Sequence, residues 1–370
     1  MIAVPASARL YLRPFHFVDT PIGRDGEVTR LAGGMQWFAG YELIAVDAGA
    51  RVAQRTIGVA DLPGLIERLP AAQADRLRLL ENRIAAPRPP IRAGERVLRL
   101  DQPLVMGILN VTPDSFSDGG THHGDPAAAA AAGVAMAEKG AAIIDVGGES
   151  TRPGAPLVWE GEEAKRVVPV IERLAASGVP VAIDTRKASV MEAALAAGAH
   201  VVNDVAALAW DDRAAEVVAK AGCPVVLMHS PDPKKGADGD ARYDDALVEV
   251  FDWLEARIEA VVAAGVDRAN IVVDPGIGFG KALGHNLALL NGLAMLHGLG
   301  CPILLGASRK RIIGALSNEA PAAERLGGSI ALALRGAEAG AQLLRVHDVA
   351  DSVQALRIWR GLRDHALVGR

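Results

Sequence analysis

Residues 180–207 read PVAIDTRKASVMEAALAAGAHVVNDVAA, and this stretch holds one complete strand–helix–strand unit. An apolar run ends in Asp184, an alanine-rich segment follows up to Gly198, and a second apolar run ends in Asn203 and Asp204. Runs of Val, Ile and Leu without polar alternation are typical of parallel strands that are covered on both faces. A glycine directly after a helical segment commonly ends the helix. The stretch therefore predicts two parallel strands joined by a helix.

The same unit recurs from residue 104 onward. Eight apolar runs alternate with amphipathic, alanine-rich segments. The runs are 104–111, 141–148, 180–186, 200–207, 223–230, 270–276, 301–308 and 342–349. Eight such units over about 260 residues match the number of units and the length that are typical of a TIM barrel. Their even length favours a closed barrel over a doubly wound open sheet. We therefore predict an α/β fold whose main unit is a (β/α)8 TIM barrel.

Residues 1–90 do not follow this pattern. They hold six of the fourteen aromatic residues, which predicts a small core of their own, with strands first and a helix around 65–84. The PRPP stretch at 87–90 indicates a stiff linker. The run 92–100 (RAGERVLRL) predicts a short hairpin that closes the N-terminal mouth of the barrel. We thus predict a small α+β extension of structural or dimer-contacting role, followed by the barrel over 91–370.

Composition narrows the class of protein. Half of the 370 residues are hydrophobic but only 4% are aromatic, so the core is mostly aliphatic. The net charge of −5 lacks the basic excess that is typical of nucleic-acid-binding proteins. No run approaches the length of about 18 apolar residues that a membrane span needs. Cys223 and Cys301 are too few for a disulfide framework and are predicted to be buried thiols. We expect a soluble cytoplasmic protein.

Polar residues end nearly every predicted strand, at the face where TIM barrels carry their active sites. Because buried polar groups are costly unless partnered, such a ring predicts a ligand or a dense internal network. Asp184, Asn203 and Asp274 suit a flat heterocycle with N–H donors, such as the amino-pyrimidinone of a pterin or guanine. A second, basic set suits a phosphate. Its members are Arg152, Arg309, Arg345 and His347. The sequence therefore predicts an enzyme for a substrate that joins a nitrogenous ring to a phosphate.

The segment 276–281 (GIGFGK) is not a Walker A loop, because Ala282 follows its lysine where Ser or Thr is needed. Its glycines are expected to let a loop run close to the strand, with Lys281 reaching in as a donor. His229 has two open interpretations, a ligand contact at a strand end or a core histidine. Structural roles are expected for four other residues. Asp145 and Asp204 would brace loops, and Lys310 and Arg311 would begin a solvated helix.

Seven segments together resemble dihydropteroate synthase. They are MGILNVTPDSFSDGG (106–120), DVGGESTRPGA (145–155), DT (184–185), ND (203–204), DPGIGFGK (274–281), SRK (308–310) and RVHDV (345–349). The resemblance covers about residues 92–365, and the family fold is a TIM barrel, in agreement with the strand count. It implies the condensation of 4-aminobenzoate with hydroxymethyl-dihydropterin diphosphate, which gives dihydropteroate and diphosphate.

The resemblance also implies roles for individual residues. Asp184, Asn203 and Asp274 would hold the pterin ring and Lys281 its far edge. Asn110 would bind Mg²⁺ and hold the diphosphate together with Arg345 and His347. The remaining substrate-binding residues would form the 4-aminobenzoate pocket and the loop that closes over it. They are Thr112, Asp114, Phe116, Asp118, Thr151, Arg152 and Ser308. A homodimer is expected from the resemblance alone.

Two alternatives stay open at this point. A methyltetrahydrofolate:corrinoid methyltransferase would share the Asp and Asn contacts to a pterin, but it would not need the segments 110–120, 149–154 or 308–310. Their presence argues against it. A homologue that binds pterin without synthase activity is expected to have lost a loop or a ring residue, and none is missing from this sequence.

Overall fold

The computed structural model describes residues 4–112, 125–150, 154–234 and 242–368. The chain begins with a four-stranded antiparallel sheet. Its strands are β1 (Arg9–Val18), β2 (Thr29–Arg30), β3 (Trp37–Asp47) and β4 (Ala50–Gly58). The long β3 pairs with β1 along one edge and with β2 and β4 along the other.

Two helices cover this sheet, α1 (Leu62–Ile66) and α2 (Ala71–Ala85). The prediction of a single helix over 65–84 is therefore wrong at its N-terminal end, where the structure has two helices. Pro70 lies at the N-cap of α2, and the residue before a proline is pushed out of the helical conformation, which separates the two helices. Leu77 and Leu80 of α2 are fully buried together with Tyr11 and Tyr41 of the sheet, so the extension has the small aromatic core that its composition predicted.

The predicted hairpin is confirmed as β5 (Ile91–Ala93) and β6 (Arg96–Leu98), with Gly94 between them in the left-handed region at φ +61°. Ile91 and Leu100 pack against a layer that takes one apolar side chain from each barrel strand. The layer is Met106, Ile143, Ala182, Val201, Val226, Val272, Leu304 and Leu343. The hairpin therefore closes the N-terminal mouth of the barrel, as predicted.

Eight parallel strands form the barrel. They are β7 (Leu104–Asn110), β8 (Ile143–Gly147), β9 (Val181–Asp184), β10 (Val201–Asp204), β11 (Val225–Met228), β12 (Ile271–Asp274), β13 (Leu304–Leu305) and β14 (Leu343–Val346). Their order is β12-β11-β10-β9-β8-β7-β14-β13, and a parallel bridge from Val273 to Ile303 joins the two ends. Each strand lies within its predicted run, so the TIM barrel is confirmed.

Helices surround the strands. They are α3 (Pro126–Glu138), α4 (Glu160–Ala176), α5 (Ala188–Ala196), α6 (Ala214–Ala221), α7 (Ala246–Ala263), α8 (Leu283–Gly292), α9 (Arg311–Leu316), α10 (Leu326–Glu338) and α11 (Val349–Val368), with a 3-10 helix at Leu293–Leu299. Asp125 caps α3 by accepting the Ala127 N–H. Within the described ranges no helix is long and apolar enough to span a membrane.

The extension packs on α7 through arginine side chains. Glu255 in the middle of α7 accepts from Arg9, Arg76 and Arg83 at 2.5, 2.7 and 3.1 Å. Arg51 of β4 forms a two-pronged ion pair with Asp245, the N-cap residue of α7. We call Glu255 and its three arginines the seam.

The PRPP stretch also contacts the barrel. Arg88 is 7% exposed, and its guanidinium donates to the carbonyls of His297 and Gly300 at the end of the 3-10 helix. A cation that satisfies terminal helix carbonyls is held by both hydrogen bonds and the helix dipole. The predicted linker is therefore stiff, but it is fixed to the barrel rather than a free spacer between two units.

Candidate active site

Three polar side chains from neighbouring strands meet one arginine at the C-terminal mouth of the barrel. Asp184 and Asn203 end β9 and β10 and are direct partners in the register of these strands. Arg345 of β14 lies across the mouth, with Nε 2.5 Å from Asp145 Oδ2 and Nη2 2.6 Å from Asp184 Oδ2. Asn203 Nδ2 donates to the same Asp145 oxygen at 3.0 Å. We call these four residues the mouth cluster.

The mouth cluster holds two carboxylates and one cation, all nearly removed from water. Asp184 is 7% exposed, and burial raises its pKa to about 7 although Arg345 acts in the opposite direction. Burial lowers the pKa of Arg345, but the charges of Asp145 and Asp184 outweigh it and raise that pKa above its ordinary value. Asp184 Oδ1 has no hydrogen-bond partner among the described residues. A buried acceptor without a partner is costly, so this atom is suited to a ligand donor.

Asp274 and Asn110 face the same mouth. A side-chain carbon on Gly306 would lie 3.6 Å from Asp274 Oδ2 and 3.9 Å from Arg345 Cβ. A side-chain carbon on Gly147 would lie 3.4 Å from Asn110 Oδ1 and 3.6 Å from Asp184 Cβ. Burial raises the pKa of Asp274, with Lys310 opposing. Strand-end glycines thus keep the space between these polar groups open.

Two lysines, Lys281 and Lys310, lie next to this site, and their contacts differ from those expected from the sequence. Lys281 Nζ donates to three backbone carbonyls, of His229, Gly276 and Phe279, at 3.3, 2.9 and 3.1 Å. An ammonium group has three protons, so these contacts use its full donor capacity. The prediction that Lys281 contacts substrate directly is therefore not supported by its position. It holds the loop after β12 against the end of β11.

Lys310 takes the place that was expected of Lys281. Its ammonium contacts the carbonyl of Ile277 and lies 4.6 Å from the centre of the Phe279 ring. Burial lowers its pKa to about 8, and the nearby Asp274 opposes this shift. The prediction that Lys310 begins a solvated helix is wrong, whereas Arg311 is exposed at the start of α9, as expected.

The loop after β12 depends on its glycines. Gly276 has φ +67°, and a side-chain carbon there would lie 2.0 Å from the carbonyl oxygen of His229. Only glycine permits this close approach, which confirms that the loop runs close to the neighbouring strand. Asn286 of α8 accepts the Gly278 N–H at 2.7 Å and donates to the Lys281 carbonyl at 2.9 Å. Sequence reasoning missed Asn286, because its partners are backbone groups of a loop.

Two of the predicted phosphate-binding residues, His347 and Arg309, each have a side-chain partner. Ser308 Oγ accepts the backbone N–H of His347 at 3.2 Å and lies 3.0 Å from its Nδ1, so these two predicted site residues come together. Arg309 forms a bidentate ion pair with Asp348, with Nε 3.0 Å from Oδ2 and Nη2 2.5 Å from Oδ1. Arg309 thus pairs with Asp348, whereas Arg345 pairs with Asp145 and Asp184.

The structure also tests the roles that were predicted for Asp204, Asp145 and His229. Asp204 accepts the N–H groups of Ala206 and Leu208, which confirms it as a loop brace. Asp145 was expected to brace a loop as well, and this is wrong, because its carboxylate contacts the side chains of Asn203 and Arg345. His229 is 3% exposed and packs edge-on against the Trp253 ring at 4.9 Å, which favours the core interpretation.

Part of the predicted 4-aminobenzoate pocket lies outside the described residues. The predicted pocket residues outside the described ranges are Asp114, Phe116, Asp118, Thr151 and Arg152. Thr112 is described, and it is buried just after β7.

A magnesium site would rest on few protein ligands. Across the described ranges no three His, Cys, Asp or Glu side chains lie close enough together to hold a metal. Asn110 offers an exposed amide oxygen beside Asp184, in the part of the mouth where a phosphate is expected. Mg²⁺ commonly takes one or two protein oxygens together with substrate phosphates and water. The donor set therefore fits a metal that binds with a diphosphate.

The sequence matches a family model described as pterin binding enzyme over residues 106–347. The chain is 45% identical to dihydropteroate synthase of Neisseria meningitidis serogroup B over 276 residues, which are 73% of this chain and 96% of the relative. It is 46% identical to dihydropteroate synthase of Escherichia coli K12 over 262 residues, 70% of this chain and 92% of that one.

Solved structures agree with these matches. Dihydropteroate synthase of Xanthomonas albilineans with 4-aminobenzoic acid superimposes with a TM-score of 0.70 at 49% identity, over 75% of this chain and 98% of that chain. The same bacterial enzyme in complex with 7,8-dihydropteroate gives a TM-score of 0.67 at 46% identity, over 74% and 99%. These relatives therefore match almost over their full length.

Proposed function

The chain belongs to the pterin-binding enzymes and, within them, to the dihydropteroate synthase family, and from this premise we propose how its residues divide the reaction. It is a transferase that condenses 4-aminobenzoate with hydroxymethyl-dihydropterin diphosphate, and it releases dihydropteroate and diphosphate. The observation that carries the residue assignment is the mouth cluster, in which two buried carboxylates share one arginine. Each carboxylate has one oxygen without a partner among the described residues.

Asp184, Asn203 and Asp274 hold the pterin ring. The amino-pyrimidinone edge of a pterin presents parallel N–H donors, and carboxylate and amide oxygens are their natural acceptors. Asp184 Oδ1 and the oxygen of Asn203 offer such acceptors from adjacent strands. Lys310, rather than Lys281, donates to the acceptor side of the ring, because the Lys281 ammonium spends its protons on three backbone carbonyls. The Lys310 charge interacts with both Asp274 and Asp184.

The reaction breaks the C–O bond between the pterin methylene and the diphosphate, and it forms a C–N bond to the amine of 4-aminobenzoate. The methylene carbon becomes cationic as the leaving group departs, and the Asp184 carboxylate against the ring stabilises this charge. Arg345 and His347 stabilise the departing anion. The neutral aniline nitrogen is already a nucleophile and loses its proton after attack, so the site needs no strong general base.

Asn110 would hold Mg²⁺, with the substrate diphosphate supplying further oxygens. The bound ion would supply positive charge for the leaving diphosphate. Ser308 and Thr112 would line the 4-aminobenzoate pocket.

Turnover by the purified protein tests this function against the alternative of a homologue that binds pterin without synthase activity. With Mg²⁺, pterin diphosphate and 4-aminobenzoate we expect diphosphate release together with stoichiometric dihydropteroate. Leaving out 4-aminobenzoate is the control. Pterin binding without release that depends on 4-aminobenzoate would contradict the synthase assignment. Methyl transfer from methyltetrahydrofolate to a corrinoid would favour the methyltransferase instead.

A homodimer and a cytoplasmic location are also proposed. Ile358 and Leu362 are 65% and 70% exposed on successive turns of α11, and exposed apolar side chains at this spacing suit a contact between copies. Sedimentation analysis should show a dimer that Leu362→Glu weakens. A monomer at micromolar concentration would contradict this proposal. Both cysteines are buried free thiols, as is usual in a reducing compartment.

A further inference from the structure

Asp145 is the residue of the mouth cluster that has no role in the assignment above. Its side chain is fully buried, on β8 between β7 and β9. A single oxygen, Oδ2, accepts from both Asn203 Nδ2 at 3.0 Å and Arg345 Nε at 2.5 Å. Thus one carboxylate contacts two of the groups that are assigned to the substrate.

The contact with Asp145 fixes the orientation of the Asn203 amide. A carboxylate only accepts hydrogen bonds, so the NH₂ end of the amide must face Asp145 and its oxygen must face away. With a neutral partner at position 145 the amide could turn over and present donors to the donor edge of a pterin. Asp145 therefore decides whether Asn203 offers the pterin an acceptor.

The same carboxylate holds Arg345 by the inner nitrogen of its guanidinium. The outer nitrogens remain for other contacts, and in this structure Nη2 pairs with Asp184. An arginine that is anchored at Nε can transfer its outer nitrogens to a phosphate without leaving the mouth. The anchor also keeps the Arg345 charge close to Asp184.

We propose that Asp145 is a positioning residue for the reaction, which orients the Asn203 amide towards the pterin ring and anchors Arg345 for the diphosphate. The proposal rests on the function proposed above and adds a residue that acts through two others. A merely structural carboxylate would instead stabilise the fold without affecting the affinity for either substrate.

Asp145→Asn tests the proposal with little change in side-chain volume. Losing a charged acceptor for two buried donors should raise the KM for the pterin diphosphate about tenfold and lower kcat. The KM for 4-aminobenzoate should stay within about twofold of the wild-type value, since Asp145 acts through Asn203 and Arg345, which are assigned to the pterin diphosphate. Calorimetry of pterin diphosphate binding without 4-aminobenzoate gives a second readout that does not depend on turnover.

The exchange variant Asp145→Asn/Asn203→Asp separates the two roles. Its amide and carboxylate can restore the hydrogen bond with donor and acceptor swapped, and residue 203 still presents an oxygen to the pterin. We expect the KM for the pterin diphosphate to return most of the way to the wild-type value, while kcat stays low because Arg345 has lost its charged anchor. A KM that does not recover would overturn the amide-orientation argument.

Asp204→Asn is the matched control. Asp204 is also fully buried and lies next to Asn203, but its carboxylate holds backbone N–H groups. This variant should lose thermal stability with both KM values unchanged. If Asp145→Asn behaves in the same way, its role is structural and the proposal fails. A wild-type protein without synthase activity would instead contradict the proposed function, and the calorimetric comparison would still test Asp145.

Discussion

The seam and the mouth cluster are built from the same chemical groups in opposite proportions. At the seam one carboxylate, Glu255, accepts from three arginines of the extension. At the mouth one arginine, Arg345, is shared by two carboxylates. The Glu255 and Asp184 carboxylates are both nearly buried, so the difference between them lies in which charge is in excess rather than in burial.

That excess decides what each cluster can do. Burial acts to raise the pKa of Glu255, but its bond to Arg76 and the three cationic charges lower it overall. Burial raises the pKa of Asp184, and its single shared arginine does not compensate. The seam therefore satisfies its carboxylate fully and serves the fold. The mouth keeps an acceptor in reserve, which is what a binding site for N–H donors and a developing cation needs.

Removing Asp184 should have the largest effect of any single change. Asp184→Ala deletes the carboxylate that is assigned both to the pterin ring and to the developing cation, so kcat/KM should fall by about a thousandfold. Diphosphate release that depends on 4-aminobenzoate measures this. The circular dichroism spectrum and the melting temperature should show an intact fold, and near-normal activity would show that the ring assignment is wrong.

Breaking the seam should lower the stability of the protein and leave its activity unchanged, the reverse of the effect of Asp184→Ala. Glu255→Gln removes the carboxylate that Arg9, Arg76 and Arg83 share, and it should lower the free energy of unfolding by about 2 kcal/mol. Arg9 still has Asp252 and Arg83 still has Glu259 within ion-pair distance. Both KM values should be unchanged, because the seam lies on α7 away from the strand ends. Urea unfolding and steady-state kinetics measure the two quantities.

Glu192→Gln is the control for the seam. Glu192 lies on α5, and both side chains of its ion pair with Arg213 are more than half exposed. Its replacement should change stability by less than about 0.5 kcal/mol. An equal loss from both variants would mean that the arginine cluster adds nothing to docking of the extension.

The sequence predicts the barrel well, because each strand is a local apolar run and each run ends in its polar residue. Asp184, Asn203 and Asp274 follow from that pattern without any knowledge of contacts. The choice between Lys281 and Lys310 does not, because both lie just after strand ends. It depends on the backbone path of the loop after β12, which Gly276 and Asn286 set through contacts to other elements.

The seam and the role of Asp145 depend on pairs that are far apart in sequence. Arg9 and Glu255 are 246 positions apart, and Asp145 and Arg345 are 200 apart. Nothing in the local pattern around Arg9 or Asp145 indicates its partner. Hence the extension could be recognised as a unit with its own core, whereas its docking to α7 required the structure.

The smallest expected effect is a difference in how the two clusters respond to pH, measured as the free energy of urea unfolding from pH 4 to pH 8. Asp184 has a pKa near 7 in the folded chain and an ordinary value of 3.8, so between these values the folded state holds the extra proton. Stability then falls as pH rises, and Asp184→Asn should gain on the wild type over this range. Glu255 has a lowered pKa, so its contribution is present above its ordinary value of 4.5 and is lost as pH falls. The deficit of Glu255→Gln should therefore shrink towards pH 4. If the two variants drift in the same direction relative to the wild type, the proposed contrast between a saturated and an unsaturated carboxylate is wrong.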